Sequence, residues 1–195
     1  MRKNVLTTKS LAAALVLAAA GIAPAQAAYI STGEGNDCSG AFGTFPNCVV
    51  AADPTNGIPN DTPIVIKINF NDDGSFGLVE INPLYSSIDG TEFTFAFGPN
   101  GTGTGTWTYT PGAGDPDITA FVAKGSNTFN LFSTMGDYTD VAYFTPNNPS
   151  GGPAGLSHMS FYNSGDDFQI PEPGTMALLG LGLLGIGLAR RRKAG

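Results

Sequence analysis

His158 is the single histidine of this 195-residue chain, with Ser157 and Ser160 beside it in an alternating run. Histidine next to serine invites a base-and-nucleophile reading, but no Gly-x-Ser-x-Gly elbow accompanies it. The plain alternative is a strand histidine with a satisfied hydrogen bond. Asn69 to Glu80 resembles a calcium loop, with Asn71, Asp73, Gly74 and Glu80 at its third, fifth, sixth and twelfth positions. Asn69 stands where the first aspartate belongs, and alternating runs rather than helices flank the segment. A hairpin turn uses the same Asn, Asp and Gly for local hydrogen bonds and positive φ. Gly101-Thr102-Gly103-Thr104-Gly105 is glycine-rich but lacks the strand–turn–helix setting of a phosphate loop. Trp107, Tyr109 and Tyr85 are candidates for an aromatic sugar platform, with core packing as the alternative. The acids are scattered over loops, and whether two converge as a glycosidase pair stays open. These residues assign no catalytic group, no metal and no cofactor, and a non-enzymatic protein is the expectation.

The elements around them read as strands. Ile64, Ile66, Ile68 and Phe70 alternate with Val65, Lys67 and Asn69, the period of a half-buried strand. Asn71–Ser75 is a turn and Phe76–Ile81 the returning strand. Phe93, Phe95 and Phe97 share one face of another. Thr104–Thr110 alternates again, followed by Ile118–Ala123 and Phe129–Phe132 flanking a Lys124–Asn127 turn. Val141–Phe144 and Leu156–Tyr162 complete the set. No segment from 28 to 170 has helical periodicity. The expectation is all-β, a single β-sandwich-like domain.

Both ends differ from this middle. Arg2, Lys3 and Lys9, the apolar run Leu11–Ala20 and the small residues Ala25 and Ala27 read as a signal peptide over 1–27, cut before Ala28. Secretion translocon and signal peptidase are the implied partners. Residues 28–170 then hold 15 acids against Lys67 and Lys124, a net charge of −13. Such a domain repels nucleic acid and anionic lipid, and draws divalent cations diffusely. At 143 residues it is one domain with its own core. Cys38 and Cys48, an even pair in an exported chain, read as a disulfide stapling a loop-rich N-terminal region. A bridge over so short a loop contributes about 2–3 kcal/mol. A zinc site is the alternative, without a histidine nearby in sequence to support it.

At the other end, Pro171-Glu172-Pro173 precedes an uncharged segment, residues 174–189, and then Arg190, Arg191, Arg192 and Lys193. Proline fixes φ and lacks a donor, so the triplet is extended. Sixteen uncharged residues make roughly 24 Å of helix, a short membrane span. The four basic residues act as a stop and place the C-terminus in the cytoplasm. An ordinary uncut anchor needs only the span and the stop.

Triplet, span and basic end together resemble the PEP-CTERM sorting signal of exported proteins in Gram-negative bacteria, over 171–195. A weaker resemblance, to the segment preceding that signal in many such proteins, covers Ala120–Phe132 and Gly155–Tyr162. The resemblance implies recognition by exosortase, a membrane-embedded cysteine transpeptidase. It further implies passage through inner membrane and periplasm to the cell surface or extracellular matrix, in association with exopolysaccharide and biofilm. A carbohydrate-binding module or adhesin is the second reading of the middle, and an exported hydrolase the third.

Overall fold

The computed structural model describes residues 27–99 and 101–163. The expected signal peptide, apart from Ala27, and the whole of 171–195 lie outside them. Twelve strands follow in order: β1 Ala28–Glu34, β2 Ser39–Gly40, β3 Gly43–Thr44, β4 Val49–Val50, β5 Thr62–Phe70, β6 Phe76–Ile81, β7 Phe93–Gly98, β8 Gly101–Tyr109, β9 Ala120–Gly125, β10 Thr128–Ser133, β11 Val141–Phe144 and β12 Leu156–Tyr162. Among the described residues the only helical element is a 3-10 turn at Pro54–Asn56, and no helix is long and apolar enough to cross a membrane. The all-β expectation is met.

A large antiparallel sheet runs β1-β10-β9-β12-β5-β4, with β6 also on β5, and a smaller one runs β11-β8-β7. Their facing surfaces share one core. The large sheet contributes Ile66, Ile68, Phe121, Phe132, Met159 and Phe161, and the small sheet Phe93, Trp107, Tyr109, Val141 and Tyr143. Branched and aromatic side chains fit this pleated, buried setting. Trp107 lies edge-on to Phe121 and Phe161, both with ring centroids at 5.0 Å.

The large sheet is not half-buried, as the alternation predicts. Its opposite face carries Ile64, Ala120, Val122, Phe129, Leu131 and Tyr162 beneath Cys38, Cys48, Val50 and Ile58. The segment from Asp37 to Ile58 is thus a third layer. A bulge sorts the residues between these two faces. Phe161 opposes Ile66 and Tyr162 opposes Ile64, leaving Val65 unopposed. An extra residue turns the strand over, so Ile64 joins the outer cluster while Val65 and Ile66 join the inner one.

The glycine-rich stretch is strand, not loop: β8 starts at Gly101, three residues before the expected Thr104. A Cβ on Gly105 would lie 2.3 Å from the Ala96 carbonyl oxygen, and one on Gly103 would lie 2.5 Å from that of Ala154. Neighbouring backbone occupies the space of a side chain. Gly105→Ala is therefore expected to destabilise the fold by about 1–3 kcal/mol, measured by urea unfolding. Gly152→Ala, with nothing within 4 Å of its Cβ, serves as the near-neutral comparison.

Candidate functional site

The outer face of β12 presents His158, Ser160 and Tyr162 at alternate positions, toward the disulfide layer. Asp37 comes down onto them from the other end of the chain. His158 Nε2 is 2.7 Å from Asp37 Oδ1, and Tyr162 donates its hydroxyl to Asp37 Oδ2 at 3.0 Å. Cys38 and Cys48 are bonded, with Cα atoms 5.3 Å apart. Their sulfurs lie 3.2 and 3.5 Å from the same Tyr162 hydroxyl. The disulfide expected from sequence is in place, stapling the layer that covers the sheet.

The electrostatics follow from burial. Asp37, Ser160 and Tyr162 have no exposed surface, and His158 only 4%. Burial opposes ionisation of Asp37, but hydrogen bonding and charge from His158 outweigh it. They hold the carboxyl well below the usual carboxylate range. Burial, reinforced by the Asp37 charge and hydrogen bond, pushes the Tyr162 hydroxyl far above its ordinary value. Lys124, opposite His158 on β9, is buried too and donates to the Ser126 carbonyl. Burial lowers its pKa while Asp37 opposes the fall. On β5, Lys67 lies opposite Ser160 and pairs with Glu80 at 3.1 Å. Of the two lysines of residues 28–170, Lys124 thus feels the Asp37 charge and Lys67 is paired with Glu80.

This cluster clamps the third layer to the sheet. A nucleophile needs a path to substrate, and Ser160 has none; His158 Nε2 is already committed to Asp37. The satisfied-histidine reading describes His158. Its partner lies 121 residues away, and no local motif marks Asp37 for that role.

The other candidates resolve separately. Asn71–Ser75 is the β5–β6 hairpin turn: Ser75 donates both backbone N–H and hydroxyl to Asp73 Oδ1, at 2.9 and 2.6 Å, and Gly74 takes φ 83. The calcium-loop pattern is therefore turn chemistry. Trp107, Tyr109 and Tyr85 are 0%, 2% and 6% exposed, and the sugar platform they were candidates for does not form. Glu92 and Asp115 do line one cleft, of about 450 Å³. Each is tied to its own turn, Glu92 by the backbone N–H groups of Asp89 and Gly90 and Asp115 by that of Gly112.

The chemistry left over lies at 171–193, beyond the described strands. Residues 169–193 match the family model of the PEP-CTERM protein-sorting motif. The chain carries a PEP-CTERM sorting signal. No curated protein and no solved structure matches it. The PEP-CTERM match takes in Pro171, Glu172, Pro173 and the basic residues Arg190 to Lys193. It implies export, with exosortase as the processing partner. It begins at Gln169, seven residues after the end of β12 at Tyr162.

Three outcomes are expected. Thiol labelling of the unreduced protein finds no free sulfhydryl at Cys38 or Cys48. Asp37→Ala, which strands His158 and Tyr162 without their acceptor, costs about 3–5 kcal/mol at pH 7 by urea unfolding. The Asp37 carboxyl titrates lower in the folded state, so its contribution is complete above the unfolded value near 3.9 and lost as pH falls through the folded one. The stability gap between wild type and Asp37→Asn should narrow below about pH 4. A gap that ignores pH would show that the ionised carboxylate is not what holds the layer.

Proposed function

We propose that this chain is a non-enzymatic protein of the cell surface or extracellular polysaccharide matrix of a Gram-negative bacterium. Exosortase delivers it through residues 171–195, after the translocon and signal peptidase have acted on residues 1–27. The carrying observation is the sorting motif at 169–193. Within it Pro171-Glu172-Pro173 is the recognition site, residues 174–189 are a short membrane helix, and Arg190–Lys193 hold the end in the cytoplasm. Proline fixes φ and lacks an N–H donor, so the triplet's sequence disfavours helix and would leave its carbonyls and the Glu172 carboxylate for an enzyme groove.

The folded part supports the reading. β1 starts at Ala28, the first residue after the expected signal cut, and β12 ends at Tyr162. Processing at both ends leaves every described strand whole. A disulfide within the covering layer suits an oxidising exterior. The buried Asp37 cluster gives a structural account of the lone histidine, which weakens the hydrolase reading. A carbohydrate-binding module or adhesin remains the second reading, favoured by an aromatic cleft described below.

Replacing Pro171-Glu172-Pro173 by Ala-Ala-Ala should leave membrane insertion intact and block processing. A full-length form then accumulates in the inner membrane, seen by cell fractionation and intact mass. Processing of that variant at the normal rate would reduce the triplet to a linker and sink the sorting role given to it.

A further inference from the structure

β1 at the edge of the large sheet and β11 at the edge of the small one meet at a seam. A cleft of about 350 Å³ opens there, lined by Thr32, Thr128, Asn130, Phe144 and Asn147 among others. That volume lies within the range of roughly 300–1,000 Å³ that small-molecule sites occupy. We propose that this cleft binds a neutral saccharide.

One ring, Phe144, lines it, and the Tyr29 ring stands beside that one. Tyr29 and Phe144 are 48% and 43% exposed, with centroids 5.5 Å apart and planes 33° apart. Both rest on Phe132, which is 1% exposed, at 5.8 and 5.2 Å. The rings are thus held from below while their outer faces stay wet. An aromatic face of this kind takes the C–H face of a pyranose, which is apolar although its rim is not.

The polar groups run in one direction. Asn130 donates its amide N–H to the Phe144 carbonyl at 3.0 Å, which turns its oxygen toward Thr32. That oxygen only accepts, so Thr32 donates to it, at 2.6 Å. The Thr32 oxygen, 2.8 Å from the Tyr29 hydroxyl, must then accept from it. The chain of donors ends inward, and the lone pairs left on Tyr29 and Thr32 want donors from outside. A ligand rich in hydroxyls supplies them.

Charge narrows the class. Among the described residues no acid or base lines this cleft, in a domain of net charge −13. A uronate polymer is repelled by the surrounding acids, and a cation finds no carboxylate. The inference rests on the exported, surface-facing reading for its setting but is tested apart from it.

The full chain, purified in detergent, is run by affinity electrophoresis through gels holding dextran, mannan, galactomannan or xylan, and through alginate as the anionic control. At least one neutral polymer should retard it. Phe144→Ala should weaken that binding about tenfold, as loss of one aromatic contact does. Phe144→Tyr should keep it, and Thr32→Val should weaken it severalfold. Phe76→Ala, at an exposed ring elsewhere, should bind as wild type, and unchanged thermal melting of Phe144→Ala separates lost binding from lost fold. No retardation by any neutral polymer, retardation by alginate alone, or equal retardation of Phe144→Ala would overturn the proposal. Failure here leaves the sorting reading standing, since that is decided by where the full chain is processed.

Discussion

A carboxylate without exposed surface is the constraint on which the arrangement of this domain turns. Taking an ionised carboxyl out of water costs several kcal/mol unless partners surround it. Asp37 meets that condition with the one histidine of the chain, a tyrosine hydroxyl and the charge of Lys124. Because the partners lie on β9 and β12 and the carboxylate on the covering layer, the ion cluster fixes where that layer sits. The adjoining disulfide does the same job from the side of chain entropy, limiting how far Asp37 and Cys38 wander in the unfolded chain. The two act on neighbouring residues, so loosening either exposes the other.

The covering layer in turn explains the burial of the large sheet. A sheet with one wet face alternates apolar and polar residues, whereas one covered on both faces reads as a continuous apolar run. β9, Ala120–Gly125, is buried at every position, Lys124 included. The bulge at Val65 lets β5 serve both cores from one strand. Without the extra residue, Ile64 would point with Ile66 into the space already filled by Phe161, and Tyr162 would lose its apolar neighbour in the outer cluster.

Strand existence was legible from residue pattern, because β-branched and aromatic residues alternate between turn signals. The Phe93, Phe95, Phe97 face and the Asn71–Ser75 turn emerged as read, since both are local. Three features were not legible, each for a physical reason. β1, Ala28–Glu34, is an edge strand in which Ala28, Tyr29 and Ile30 stand together and Ser31, Thr32, Gly33 and Glu34 follow, so it lacks an apolar period. The early start of β8 is hidden because glycine lowers strand propensity, while close backbone approach demands it there. The Asp37–His158 pairing spans 121 residues, and nothing local reports it. The tail is the reverse case: its identity is legible in sequence alone, while it lies outside the described strands.

Placement of the few bases shapes the outer surface. Lys67 is turned to Glu80 and Lys124 to its own turn, so each of the only two lysines of residues 28–170 is committed to a partner within the domain. Among the described residues, Asp72, Asp73 and Asp89 are exposed and have no basic partner. Their field keeps copies of the domain apart and discourages anionic polymers, at a range of roughly 10 Å in moderate salt. An uncharged partner meets no such repulsion. The aromatic seam between β1 and β11 is where we propose that such a partner binds. It lies at the sheet edges, away from the clamp that holds the third layer, so a partner can engage it without disturbing the ions the fold depends on.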